Sequence, residues 1–238
     1  MIPKLISKTK YTVDQAIQAI KEWFSLSDKG ERVDIVYNEH FDFDKFDMYE
    51  KSHFRRYEFA VQNMNNKKTV GDFACGTGYG TVMLKSKSEH VIGADINEKV
   101  INKIKRRYKD HPNLEFIALN LLDLPFENRF DSIVSFETIE HLYENDIPKV
   151  LAKFNRALKP KGIIIFSTPF MQERSEAAVK MGFHLTFDIN ENKINAWLKN
   201  TNFTPITYKY QNYKTHEVSS ELKEKDFIIC IAQKIEQI

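Results

Sequence analysis

Three groups of residues in this chain have the types and spacing to do chemistry. Glu137-Thr138-Ile139-Glu140-His141 places two carboxylates and an imidazole close together. If a helical turn starts there, Glu137, Glu140 and His141 share one side through i+3 and i+4 spacing. Such a face can hold a divalent ion through oxygen and nitrogen, or take a proton without one. Upstream, Val70-Gly71-Asp72-Phe73-Ala74-Cys75-Gly76-Thr77-Gly78-Tyr79-Gly80-Thr81 ends an apolar run in an acid and continues into a glycine-rich turn, with helix-compatible residues beginning at Thr81. Glycines let the backbone turn sharply and let a ligand approach it closely. The third group is His90-Val91-Ile92-Gly93-Ala94-Asp95-Ile96-Asn97, a short buried strand that ends in an acid placed to accept hydrogen bonds from ribose hydroxyls. Asn97 competes with Asp95 for the role of capping the next helix.

The elements that must position these groups follow from periodicity. Short apolar runs at Thr69–Ala74, Val91–Asp95, Leu114–Ala118, Asp131–Phe136 and Ile163–Thr168 alternate with helical segments. That alternation predicts an α/β fold, with a parallel sheet covered on both faces. Pro205–Gln211 and Asp226–Gln233 read as a closing pair of strands, and Asn190–Asn200 as a helix before them. Thr12-Val13-Asp14-Gln15 is a capping box that opens an amphipathic helix, and a second helix runs from Asp47 to about Asn63. Residues 1–66 read as a helical cap on the sheet formed by residues 67–238, the whole being one domain.

Composition sets bounds. A chain of 238 residues, 42% hydrophobic, can bury the core of one such domain. The formal net charge is only +2, so nothing demands a polyanionic partner. Two cysteines, Cys75 and Cys230, cannot build a disulfide framework and suit a reducing cytoplasm. The first residues lack the apolar core of a signal peptide, and no apolar run is long enough to span a bilayer. The glycines run G-x-G-x-G and not G-x-G-x-x-G, which argues against a dinucleotide cofactor.

Taken in order with Leu119-Asn120-Leu121-Leu122-Asp123-Leu124-Pro125-Phe126, Phe130-Asp131-Ser132-Ile133-Val134-Ser135-Phe136-Glu137 and Leu158-Lys159-Pro160-Lys161-Gly162, these segments resemble a class I S-adenosylmethionine-dependent methyltransferase, from about Lys68 to Pro169. The resemblance implies a Rossmann-like seven-stranded sheet of order 3-2-1-4-5-7-6 with the last strand antiparallel. It implies that Leu158–Gly162 is the turn before the fifth strand. It implies that Ala74, Gly76 and Gly78 contact the methionine part of the cofactor, with Asp72 near its ammonium group. Asp95 takes the ribose, Ile96 packs on the adenine, and Asn120 with Leu121 meets the adenine edge, an amide standing where the family usually has an acid. Related enzymes bring an N-terminal arginine over the cofactor carboxylate; Arg56 is the candidate and Arg55 the reserve, against the alternative of a solvated helix face. Gly71 is a departure, since that strand position is usually bulkier.

Glu137-Thr138-Ile139-Glu140-His141 also resembles a motif of two metal-using branches, the ubiquinone-pathway O-methyltransferases and small-RNA 3′-end methyltransferases. Both recruit a later histidine, for which His184 is the candidate. The resemblance thus implies either a divalent ion, Mg or Mn, on Glu137, Glu140, His141 and His184, or catalysis by Glu137 or His141 alone. The acceptor is expected to be a small molecule, met by residues 37–49 and 170–188. Residues 50–60 resemble methyltransferases of surface-polysaccharide pathways, which points to a sugar, a sugar-nucleotide or a polysaccharide precursor. RNA 2′-O-methylation is the alternative, with the basic stretch Lys103–Lys109 as its candidate contact. A catalytically inactive cofactor-binding partner protein is a third. No nucleic acid or membrane partner is expected, and the oligomeric state is left open.

Overall fold

The computed structural model describes residues 32–35, 37, 40–64 and 67–235. The helix expected from Thr12 lies outside the described residues. Strands β1 (Lys67–Phe73), β2 (Ser88–Asp95), β3 (Leu114–Ala118), β4 (Phe130–Phe136), β5 (Leu158–Pro169), β6 (Phe203–Gln211), β7 (Val218–Ser219) and β8 (Phe227–Lys234) form one sheet of order β3-β2-β1-β4-β5-β8-β6-β7. Strands β1–β5 pair in parallel, and β8 enters antiparallel between β5 and β6, with Phe166 opposite Cys230, so β6 runs in the direction of the first five. The expected order stands, with one addition. The two-residue β7 pairs with the outer side of β6 at Tyr210 and Gln211, so the sheet has eight strands and not seven.

Period-two alternation sorts the sheet into two cores. Phe73, Ile92, Ile133, Ile164, Phe166, Ile228 and Cys230 face helices α4 (Ile147–Ala157) and α6 (Glu191–Asn200), meeting Val150, Leu151, Phe154, Ile194 and Leu198. Val70, Val91, Val134, Ile165 and Ile229 point the other way, onto Phe54, Tyr57 and Ala60 of α1 (Met48–Asn63) and Tyr79, Met83 and Leu84 of α2 (Tyr79–Leu84). Helix α3 (Glu98–Arg107) covers the β2–β3 edge through Ile101 and Ile104 against Phe116. A short helix, α5 (Glu176–Met181), lies in the connection between β5 and α6. Both cysteines are buried free thiols.

Local chemistry sets the helix starts. Asp47 caps α1 in a reciprocal box: its carboxylate accepts from Glu50 N at 2.9 Å, and Glu50 Oε2 accepts from Asp47 N. Asn97 caps α3 by accepting from Lys99 N and Val100 N. That settles the competition with Asp95, whose carboxylate is left for other partners. Asn190 caps α6 in the same way.

Three local expectations need correction. The turn expected before the fifth strand lies inside the range of β5: Leu158 pairs with Phe130 and Ile163 with Ser132, so residues 159–162 loop out between the two pairs, and Lys161 takes a left-handed φ of 60°. Helix α2 begins at Tyr79, ahead of Thr81, because Gly78 supplies the left-handed N-cap. Gly71 is not a packing defect: a Cβ there would lie 2.8 Å from the Phe73 ring, which already fills the space. No helix among the described residues is long and apolar enough to cross a membrane.

Candidate active site

The loop after β1 lies where strand order reverses, between the carboxyl ends of β1 and β4, the place where open α/β sheets bind ligands. Ala74 (φ 63°), Gly76 (φ 53°) and Gly78 (φ 78°) are all left-handed. Ala74 bears a Cβ there at a cost of about 1–2 kcal/mol, which the surrounding bonds offset. Cys75 N donates to Ala94 O at 2.9 Å, and Gly78 N donates to Cys75 O. Asp95 completes the cradle. Its Oδ2 accepts from Gly76 N at 3.0 Å, while Oδ1 accepts from Asn97 N and from the Arg32 guanidinium, both at 2.9 Å.

The other residues expected on this side fall into two sets. Ile96 stands 68% exposed beside Asp95, a large apolar side chain facing out. Asn120 is also on the surface, but its Oδ1 accepts from Leu122 N and caps the short 3₁₀ turn Leu121–Asp123. Leu121 turns its side chain into the main core. Asp72 has no exposed surface. Tyr57 Oη donates to its Oδ1 at 3.0 Å and Thr81 Oγ1 to its Oδ2 at 2.6 Å. Burial lifts its carboxyl to about 7, against the downward pull of the Thr81 and Tyr57 hydroxyls, and the nearby Asp95 adds to the rise. Its geometry suits bracing the loop from behind better than meeting an ammonium group directly.

Arg56 is not part of a solvated helix face. It is fully buried in α1, donating from Nη1 to Ser52 Oγ at 3.1 Å and Gln211 Oε1 at 2.6 Å. Its guanidinium stacks over the Phe227 ring, and Nε lies 3.9 Å from Glu137 Oε1. Arg55, the reserve, pairs with Glu58 on the outside of α1.

The Glu137–His141 segment divides in two. The helical turn is a 3₁₀ turn of Ile139–His141 only, and Glu137 precedes it with a left-handed φ of 48°. Glu137 is held by Ser167 at the end of β5: its N donates to Ser167 O, and Ser167 Oγ donates back to Glu137 Oε1 at 2.6 Å. A non-glycine residue in this conformation persists only when neighbours over-determine it. Glu140, His141 and His184 converge instead, with one ligand atom of each within 4.8 Å of the others, and Glu137 is outside that group. Of the four residues expected together, three converge and the fourth does not, because Glu137 turns toward Arg56 and Ser167. Glu140 O accepts from Leu185 N and Thr186 N, which pins residues 183–187 against the 3₁₀ turn and delivers His184. The rings of His141 and His184 meet edge to face at 5.0 Å. His141 Nδ1 faces Phe183 O at 2.8 Å, and since a carbonyl only accepts, Nδ1 is the donor. His184 Nδ1 faces the Gln172 Oε1 acceptor at 2.5 Å in the same way.

Sequence reasoning missed four contributors. Tyr57 lies within residues 50–60 and Thr81 at the end of the glycine-rich run, and neither residue type announces its bond to Asp72. Ser167 carries no local signal, since it becomes a partner of Glu137 only through the pairing of β4 with β5. Arg32 carries none either.

Residues 70–162 match the family profile of a methyltransferase domain. The demethylmenaquinone methyltransferase of Staphylococcus saprophyticus is 32% identical over 117 residues, which is 47% of this chain and 48% of that protein. The chain spans about half the length of the curated relatives it matches. Among solved structures, the N-methyltransferase NodS from Bradyrhizobium japonicum WM9, in complex with S-adenosyl-L-homocysteine, shares the fold with a TM-score of 0.62 at 15% identity, covering 84% of this chain and 94% of that one. The [4+2]-cyclase SpnF does so at 0.66 and 12% identity, covering 97% of each chain. The matched segment holds β1 through the start of β5, with the glycine cradle and Asp95 inside it, and over that ordered series of elements the chain is similar to methyltransferase domains.

Proposed function

We propose that this protein binds S-adenosylmethionine and transfers its methyl group to an oxygen of a small metabolite. The observation that carries the cofactor assignment is the Asp95–Gly76 bond at 3.0 Å, which joins the left-handed loop to an acid at the end of the neighbouring strand. The donor set fits the cofactor: Asp95 for ribose hydroxyls, exposed Ile96 for an adenine face, and the backbone of Ala74, Gly76 and Gly78 for the amino-acid end. When bound, the cofactor supplies a methyl group on a sulfonium that departs as a neutral thioether. The protein's part is alignment and the acceptor's proton. His141 is the proton acceptor, its Nε2 oriented by the bond of Nδ1 to Phe183 O. Glu137, braced by Ser167 and Arg56, hydrogen-bonds the acceptor hydroxyl or its neighbour.

For the acceptor, Tyr37, Phe41, Phe43, Phe46 and Phe54 form an aromatic cluster with ring centroids 4.8–6.3 Å apart. Such a surface suits a ring-bearing small molecule. A sugar, a sugar-nucleotide or a polysaccharide precursor rests on the likeness of residues 50–60 alone, and Ser52, Phe54, Arg56, Tyr57 and Ala60 of that stretch are buried in α1. The test is transfer of labelled methyl to hydroxyl, amine and carbon acceptors. His141→Ala should lower the rate on a hydroxyl acceptor by about 10²–10⁴. Transfer to amines alone, unaffected by that change, would sink the oxygen assignment.

The convergence of Glu140, His141 and His184 favours a second reading, in which these three hold a divalent ion. Two imidazoles and one carboxylate suit Mn²⁺ better than Mg²⁺. Such an ion would lower the pKa of an acceptor hydroxyl. Loss of activity in chelator, restored by Mn²⁺ and mirrored by His184→Ala, would select it. Full activity of His184→Ala with chelator present would exclude it.

A further inference from the structure

Residues 32–35 lie across the cofactor cradle. Arg32 Nη2 reaches Asp95 Oδ1 at 2.9 Å, with only 17% and 6% of the two side chains exposed. Its Cγ is the nearest atom above Gly76, 3.9 Å from where a Cβ would stand. Val33 O accepts from Thr77 Oγ1 at 2.5 Å, so the strap is tied to the loop itself. Asp34 pairs with Arg107 at 2.7 Å and Lys103 at 3.4 Å on α3. Ile35 and Val33 are buried beside Tyr79 and Met83. The basic stretch considered as an RNA contact thus anchors part of this chain.

Asp95 accepts three hydrogen bonds. Two come from backbone N–H groups, Gly76 and Asn97, that shape the loop and the start of α3. The third comes from a side chain, Arg32, and can be exchanged without unmaking either element. A ribose diol asks for the same carboxylate. A sulfonium- and ammonium-bearing cofactor beside a guanidinium would also meet charge of its own sign.

We infer that residues 32–35 are an internal strap that closes the ribose subsite, and that Arg32 and the cofactor's ribose compete for Asp95. Cofactor entry displaces the Arg32 side chain and loosens the strap from the loop. The fraction of molecules with the strap open sets the apparent affinity. This rests on the assignment of Asp95 to the ribose.

S-adenosylhomocysteine binding to the whole chain, measured by titration calorimetry, tests it. Arg32→Ala should bind about tenfold more tightly than the wild type, the gain for a strap open about one time in ten. Asp34→Asn should tighten binding in the same direction, because it cuts the tie to α3 without touching Asp95. Hydrogen exchange in residues 32–35 should speed up when S-adenosylhomocysteine is added. Arg32→Ala binding no more tightly, or slower exchange in the strap with ligand, would overturn the competition. Asp95→Asn should weaken binding by tenfold or more; if it binds like the wild type, the ribose assignment itself fails, whatever the strap does.

Discussion

Asp72 and Gly80 show how closely residues behind the loop are fitted. Burial raises the Asp72 carboxyl to about 7, whereas an unfolded aspartate titrates near 3.9. The folded chain therefore holds this proton more tightly than the unfolded chain does. The resulting stability is complete below about pH 3.9 and is lost as pH rises through about 7. Asp72→Asn should flatten that part of the pH dependence, seen as a smaller drop in urea midpoint between about pH 4 and 7 than in the wild type. An identical slope in both proteins would remove Asp72 from the account. Gly80 is constrained by shape: a Cβ there would lie 2.0 Å from the Tyr57 ring, whose hydroxyl holds Asp72. Gly80→Ala should cost about 1–3 kcal/mol by urea unfolding, because the ring is locked between Tyr79 and Phe136. The sharp turn of the loop was legible at this scale because Gly76 and Gly78 lie in one short, recognisable run. The enclosure of Asp72 was not, since Tyr57 comes from a helix on the far side of β1.

At the scale of elements, the sequence carried more. Apolar runs bounded by breakers gave every strand longer than two residues, and caps at Asp47 and Asn190 gave the starts of α1 and α6. Replacing Asp47 with alanine should destabilise the protein by about 1 kcal/mol, read from the denaturant midpoint. An effect below about 0.3 kcal/mol would mean that packing of Phe54, Tyr57 and Ala60 alone holds α1. The short strand β7 was invisible because two residues carry no period. Pro160 and Gly162 signal the turn, but the pairing of Leu158 with Phe130 ahead of it, which extends β5 back past the turn, depends on β4 and has no local signal. The 3₁₀ turn after β4 was drawn too long. One residue in a left-handed conformation, Glu137, separates a carboxylate facing Arg56 from a cluster facing His184, and nothing in the residue types announces that break.

For the whole molecule, the two sides of the proposed site are assembled from very different distances along the chain. Gly76 and Asp95 are 19 residues apart, and the cradle they form needs only β1, α2 and β2. His141 meets Phe183 across 42 residues, and Arg56 meets Gln211 across 155. Near-neutral net charge, together with the use of Lys103 and Arg107 by Asp34, predicts weak, salt-sensitive RNA binding. Methylation of a short RNA as fast as of a small metabolite, at equal salt, would reverse the ranking of acceptors. The span from Arg56 to Gln211 has a temporal meaning as well. During synthesis the residues of the cradle emerge before β6, whereas Gln211, which holds Arg56 beside Glu137, emerges only at the end of β6. Under the proposed function, a chain at the earlier stage carries the residues of the donor side without the hydrogen bond that holds Arg56 beside Glu137. Gln211→Leu should recreate that stage in the finished protein, with S-adenosylhomocysteine binding kept within about threefold while methyl transfer falls by tenfold or more, the loss of one hydrogen bond to a charged group. Equal losses of binding and turnover would show instead that the two sides are built as one.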